Sequence, residues 1–117
     1  MTVRVCRQFG FEAAHRLPDY PGPCRDLHGH SYRLNVSVEG PIDPDSGLVI
    51  DFSELKRVVV QEVIDHFDHA NLNDHLPNPT AENLAVWIWD KLAPTLPGLV
   101  EIELHETEKC SVIYRGT

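Results

Sequence analysis

The chain has 117 residues, a hydrophobic content of 42% and a formal net charge of -8 from 10 basic and 18 acidic side chains. Such a length suits one domain, taken as residues 1–117, that buries roughly 65% of the surface its unfolded form exposes. The charge argues against nucleic-acid binding, which rests on Lys and Arg neutralising phosphates, and no apolar run approaches the roughly 18 residues that span a bilayer.

Met1-Thr2-Val3-Arg4-Val5 alternates like a strand and lacks the apolar core and small-residue cleavage site of a secretory signal, so a cytoplasmic protein is expected. Val3, Val5, Phe9, Phe11, Ala13 and His15 share one parity, broken only by Arg7, which predicts a long strand with one covered face and His15 at its end. Arg16 to Leu27 holds Pro18, Pro21, Gly22 and Pro23, cannot continue that strand, and is a loop of the length that usually serves function. In the second strand His28, His30, Tyr32, Leu34, Val36 and Val38 form one row, with Ser31, Arg33, Asn35 and Ser37 on the opposite face.

After turns at Gly40-Pro41 and Asp43 to Gly47, the stripe Leu55, Val58, Val59 and Val63 predicts a helix over Ser53 to Asp65, with Asp51 or Ser53 as its N-cap. A loop rich in Asn, Asp and Pro follows from His69 to Pro79. Thr80 opens a second helix that buries Leu84, Ala85, Ile88 and Leu92 and is stopped by Pro94 and Pro97. Val100, Ile102, Leu104 and Glu106, then Cys110, Val112 and Tyr114, predict two closing strands joined by a turn at Thr107 to Lys109. The order ββααββ is satisfied by a four-stranded antiparallel sheet with both helices on one face, an α+β sandwich. The other sheet face is polar and meets water or the wet lumen of an oligomer.

His28-x-His30 on a strand sends both imidazoles to one side, about 6 to 7 Å apart along the backbone. If the first two strands pair across the Arg16 to Leu27 loop, His15 falls beside them on the same face. Three neutral imidazoles suit zinc and leave a fourth tetrahedral position open, as in catalytic sites. The other histidines fit less well: His105 has the wrong parity, His75 lies in a loop and His66 ends a helix, where a cation is favourable anyway.

Three cysteines, widely spaced, argue against a disulfide framework and fit a reducing compartment. Cys24 stands four residues before His28, where an ion and Arg25 favour its thiolate; it is a reactive thiol, a fourth ligand or an inert loop residue. Cys6 and Cys110 read as packing residues. Asp68-His69 is either a carboxylate that fixes an imidazole for proton transfer or ordinary loop polarity. Glu106 continues an apolar row, so its carboxylate pairs with a ligand's planar N–C–NH2 edge or with a cation such as Lys109.

The segments Phe11-Glu12-Ala13-Ala14-His15-Arg16-Leu17, Cys24-Arg25-Asp26-Leu27-His28-Gly29-His30, Gly47 to Phe52, Asp68-His69, Asn78 to Asn83 and His105-Glu106-Thr107 together resemble the 6-pyruvoyltetrahydropterin synthase and 6-carboxytetrahydropterin synthase family. The likeness runs along essentially the whole chain, and Cys-x3-His-x-His is the spacing of the carboxy branch. The resemblance implies the tunnelling fold (T-fold), with trimers stacked into a homohexamer. It implies zinc on His15, His28 and His30, with Cys24, Asp68 and His69 as catalytic groups. Glu106, with Thr107 beside it, would anchor the pterin. The implied reaction converts 7,8-dihydroneopterin triphosphate to 6-carboxy-5,6,7,8-tetrahydropterin, acetaldehyde and triphosphate, as in queuosine-precursor synthesis. The alternatives are a pyruvoyl synthase that stops after triphosphate elimination and a non-catalytic zinc-binding domain.

Overall fold

A computed structural model describes residues 1–117. β1 (Thr2–His15) and β2 (His28–Pro41) are 14 residues each and pair antiparallel along their full length, from Thr2↔Pro41 to His15↔His28. The register follows from alternation, because a slip by one residue would turn Phe11, Tyr32, Leu34 and Val36 out of the core. β4 (Leu99–His105) adds to β2 and β5 (Ser111–Tyr114) to β4, both antiparallel.

The four-stranded expectation is corrected by one strand. β3 (Ala70–Asn71) pairs parallel to Ala13–Ala14 of β1, giving the order β3-β1-β2-β4-β5. Two residues carry no readable alternation, and their Asn and Asp neighbours gave this stretch the look of a loop. The α+β class holds, with a mostly antiparallel sheet and the helices on one face.

The first helix starts as α1 (Phe52–Val59), where the Asp51 carboxylate caps the Ser53 amide at 2.8 Å. It then widens into a π-helical stretch (Val60–Ile64) and closes with α2 (Asp65–Phe67), a few residues longer than the sequence suggests. Leu55, Val59, Val63 and Phe67 are all fully buried. A row spaced by four drifts around a helix of 3.6 residues per turn, and a wider turn in its middle returns Phe67 to the core. α3 (Ala81–Leu92) is capped by the Thr80 hydroxyl, which accepts from the Asn83 amide at 3.1 Å, and buries the predicted stripe Leu84, Ala85, Ile88 and Leu92. These helices and the covered sheet face enclose one core of 19 residues.

Two β features position the site. The ladder carries His15 and His28 to the same end of the sheet, and β3 brings the segment after α2 against that end. No helix is long and apolar enough to cross a membrane.

Candidate metal centre and active site

His15 and His28 are direct cross-strand partners, and His30 faces Ala13 one step inward on the same row. Ring centroids of the three lie 4.6, 5.1 and 4.9 Å apart, and one nitrogen from each falls within 4.8 Å of the others. The three histidines are therefore positioned to bind a metal. No Cys, Asp or Glu joins them.

The proton positions follow from the partners. His15 Nδ1 donates to the Pro79 carbonyl at 2.8 Å and His28 Nδ1 to the Asp26 carbonyl at 2.7 Å, since a carbonyl oxygen only accepts. Each ring, when neutral, then keeps a bare lone pair on Nε2, the tautomer that backbone carbonyls impose on metal-binding histidines. The Tyr32 hydroxyl, 3.3 Å from His15 Nδ1, closes the inner side, and burial pushes its ionisation up.

The Nε2 atoms of His15 and His30 are buried without a hydrogen-bond partner. A Glu106 carboxylate oxygen lies 3.3 Å from His30 Nε2 but is not aligned for a hydrogen bond. Orphaned buried nitrogens are costly, and a shared cation satisfies them together. Desolvation lowers the His30 pKa, opposed by Glu106 and assisted by His15 and His28, which favours the neutral ring that a metal needs.

Cys24 sits at the end of a compact loop. The Leu17 amide donates to the Cys24 carbonyl at 2.8 Å, pinching residues 17–24 shut, and the thiol is half-buried. Its absence from the metal-capable group counts against the fourth-ligand alternative.

Asp68 and His69 are clamped to the edge of β1. Asp68 Oδ1 accepts from the Glu12 amide at 2.9 Å, while the His69 amide donates to the Glu12 carbonyl. The Glu12 amide, then the desolvation that opposes it and the nearby His69, leave the Asp68 carboxyl below the ordinary carboxylate range. The same carboxylate lies 3.1 Å from His69 Nδ1. His69 has φ 61, a left-handed conformation unusual for a residue with a side chain, and its ring is 81% exposed. It shares an open groove of about 510 Å³ with His30, Glu12, Ala14, Gly29 and Asn71.

Glu106 lies beyond the end of β4, next to His30 and not in an ion pair with Lys109. The Thr107 hydroxyl accepts from the Cys110 amide at 3.2 Å and so shapes the β4–β5 turn. His105 points to the other face, 3.4 Å from Glu103, and His66 and His75 pack about Trp87. Sequence reasoning missed the backbone of Glu12 as the holder of Asp68 and His69, and Tyr32 as the neighbour of His15. The parity row that exposed His28 and His30 already contained Tyr32, whereas nothing in the sequence marked Glu12.

A sheet of this topology, with its helices on one face, defines a T-fold protein, here with three histidines at the strand ends positioned to bind a metal. The structure is similar to that of Caenorhabditis elegans 6-pyruvoyl tetrahydropterin synthase, with a TM-score of 0.92 at 31% identity, covering 100% of this chain and 97% of that one. Residues 4–117 match the 6-pyruvoyl tetrahydropterin synthase family, and the chain belongs to that family of pterin-metabolising lyases. It is 44% identical to 6-carboxy-5,6,7,8-tetrahydropterin synthase of Synechocystis, over 88% of this chain and 85% of that protein. It is 37% identical to 6-pyruvoyl tetrahydrobiopterin synthase of Dictyostelium discoideum, over 98% and 97%. It is 40% identical to dihydroneopterin monophosphate aldolase of Pyrococcus furiosus, over 88% and 86%.

Proposed function

We propose that the chain is a zinc-dependent lyase that converts 7,8-dihydroneopterin triphosphate and one water to 6-carboxy-5,6,7,8-tetrahydropterin, acetaldehyde and triphosphate. The observation that carries this reading is the triad itself: three converging imidazoles, two held in the ligating tautomer by backbone carbonyls, and two with orphaned Nε2 atoms. When bound, zinc supplies Lewis-acid polarisation of the substrate's side-chain hydroxyls.

The chain's own residues have separate tasks in this reading. Cys24 carries protons to and from the side-chain carbons as thiolate and thiol, and His69 does so at oxygen. Asp68, fixed by Glu12, holds the His69 ring. Glu106 turns from His30 to grip the 2-amino-pyrimidinone edge of the pterin with two parallel hydrogen bonds, Thr107 lying beside it.

The carboxy product is preferred on spacing and likeness. Cys24 precedes His28 by only four residues, and the alignment with the Dictyostelium pyruvoyl synthase runs over 131 positions, more than the 117 residues of this chain. That relative therefore carries inserted residues. The pyruvoyl reaction is the second reading, since 6-pyruvoyl synthases are relatives over nearly all of the chain.

The trimer-based assembly of this reading is supported by open sheet edges. β3 covers only Ala13 and Ala14 of β1, and β5 ends the sheet on the other side. Three sheets joined edge to edge satisfy those edges and put the polar face inside a wet barrel; the stacking of two such trimers into a cytoplasmic hexamer belongs to the same reading by family likeness.

The deciding assay incubates the zinc-loaded protein with 7,8-dihydroneopterin triphosphate and reads products by mass. Acetaldehyde together with the 6-carboxy pterin is expected. A pyruvoyl product without acetaldehyde transfers the assignment to the second reading, and no turnover removes both.

A further inference from the structure

Seven arginines stand in a chain of net charge -8. Arg4, Arg57 and Arg115 are ion-paired, and Arg7 donates to the Phe52 carbonyl. Arg16, Arg25 and Arg33 have no side-chain partner in the structure, and two of these three line the same cavity. That cavity, about 540 Å³, is formed by Arg16, Pro18, Pro21, Gly22, Arg25 and Asp26, without one hydrophobic side chain except the proline rings. Two guanidinium groups against one carboxylate leave it positive in an acidic protein.

The local backbone builds this pairing. The Leu17 amide to Cys24 carbonyl bond closes the loop, so Arg16 and Arg25 flank the closure on either side. Arg16 is held at both backbone groups by Asn73, whose Oδ1 accepts from its amide at 2.9 Å and whose Nδ2 donates to its carbonyl at 3.0 Å. Arg25 is fixed in a 3-10 turn by the hydrogen bond that its amide donates to the Gly22 carbonyl at 3.1 Å. Arg16 directly follows His15, and Arg25 precedes Asp26, whose carbonyl orients His28. The cavity is thus built from residues that neighbour, along the chain, two of the three histidines.

We propose that Arg16 and Arg25 form the subsite for the phosphate tail of the substrate. This rests on the function proposed above for the substrate's identity, while the anion site itself rests on the two arginines. Planar guanidinium groups match phosphate oxygens with paired hydrogen bonds, and two of them span more than one phosphate.

The test uses zinc-loaded protein and titration calorimetry with inorganic triphosphate and, separately, with unphosphorylated 7,8-dihydroneopterin. Arg16→Gln and Arg25→Gln are each expected to weaken triphosphate binding by about 10- to 100-fold, with added salt weakening the wild-type binding as well. Both variants should bind 7,8-dihydroneopterin as the wild type does. Arg33→Gln, which alters an unpaired arginine in a different cavity with Gln8, Ser31, His105 and Glu108, should leave triphosphate binding unchanged. Triphosphate affinity that is unchanged in both Arg16 and Arg25 variants, or reduced equally by Arg33→Gln, overturns the subsite. If the wild type binds triphosphate through these arginines yet ignores the pterin, the proposed function fails and the anion site stands. If the enzyme turns over and the two variants keep the wild-type KM, the subsite fails and the function stands.

Discussion

The two ends of the β1–β2 ladder are both rich in polar side chains, and they differ in how those side chains are satisfied. At the Thr2–Pro41 end, Arg4 bonds Glu39 at 2.8 Å and approaches Glu101, which also receives Arg115 at 2.9 Å. These charges answer one another at the surface, where each pair contributes little. At the His15–His28 end, His15 is fully buried and its Nε2, like that of His30, has no partner. Polar density alone does not mark a site; buried polar atoms left unpaired and pointing at one another do.

That contrast is broken or sharpened by substitution. The largest effect belongs to His28→Ala, which should abolish stoichiometric zinc binding and cut turnover by more than about 100-fold, since loss of an outer-sphere partner alone costs 10- to 100-fold. Metal analysis of the purified variant checks this, and full zinc occupancy would remove His28 from the ligand set. Cys24→Ala should keep zinc and lose turnover, and a variant that loses zinc would make the thiol a ligand.

His15→Ala should also lose the metal, and in addition destabilise the metal-free protein. It leaves the Pro79 carbonyl without its partner, at a cost of about 1–3 kcal/mol. Urea unfolding with a chelator present reads this directly.

A smaller effect is expected at the Asp68 clamp. Its carboxyl is held below the ordinary range in the folded state, so its stabilisation is present above the unfolded value of about 4 and is lost as pH falls through the lower folded value. Asp68→Asn should therefore be less stable than wild type at neutral pH, and the gap should close in acid. A gap independent of pH would show that the carboxylate charge is not what the Glu12 amide holds. Arg4→Ala is expected to change least, with zinc content and unfolding midpoint both as in the wild type. A large shift there would erase the distinction between the two ends.

Much of this was legible in the residues. Period-two rows in β1 and β2, joined by a proline-rich loop, fixed the register that brings His15 opposite His28, so the triad followed from alternation and chain reversal. The helical stripes Leu55 to Val63 and Leu84 to Leu92 were equally plain, because each buries one face. Three features were not. The strand Ala70–Asn71 is too short to show a period and is formed by tertiary pairing with β1. The π-helical turn depends on where Phe67 must land, which local propensity does not encode. The approach of Glu106 to His30 brings together residues 76 positions apart, through β4 pairing with β2. The sequence placed Glu106 on the covered face without showing which group it would meet there.

The most direct test of the metal centre is anomalous diffraction at the zinc edge from crystals of the zinc-loaded protein. One peak bonded to ring nitrogens of His15, His28 and His30, with a solvent molecule as the fourth ligand, is the predicted result. A peak elsewhere, or Cys24 or Glu106 closing the coordination sphere, would contradict it.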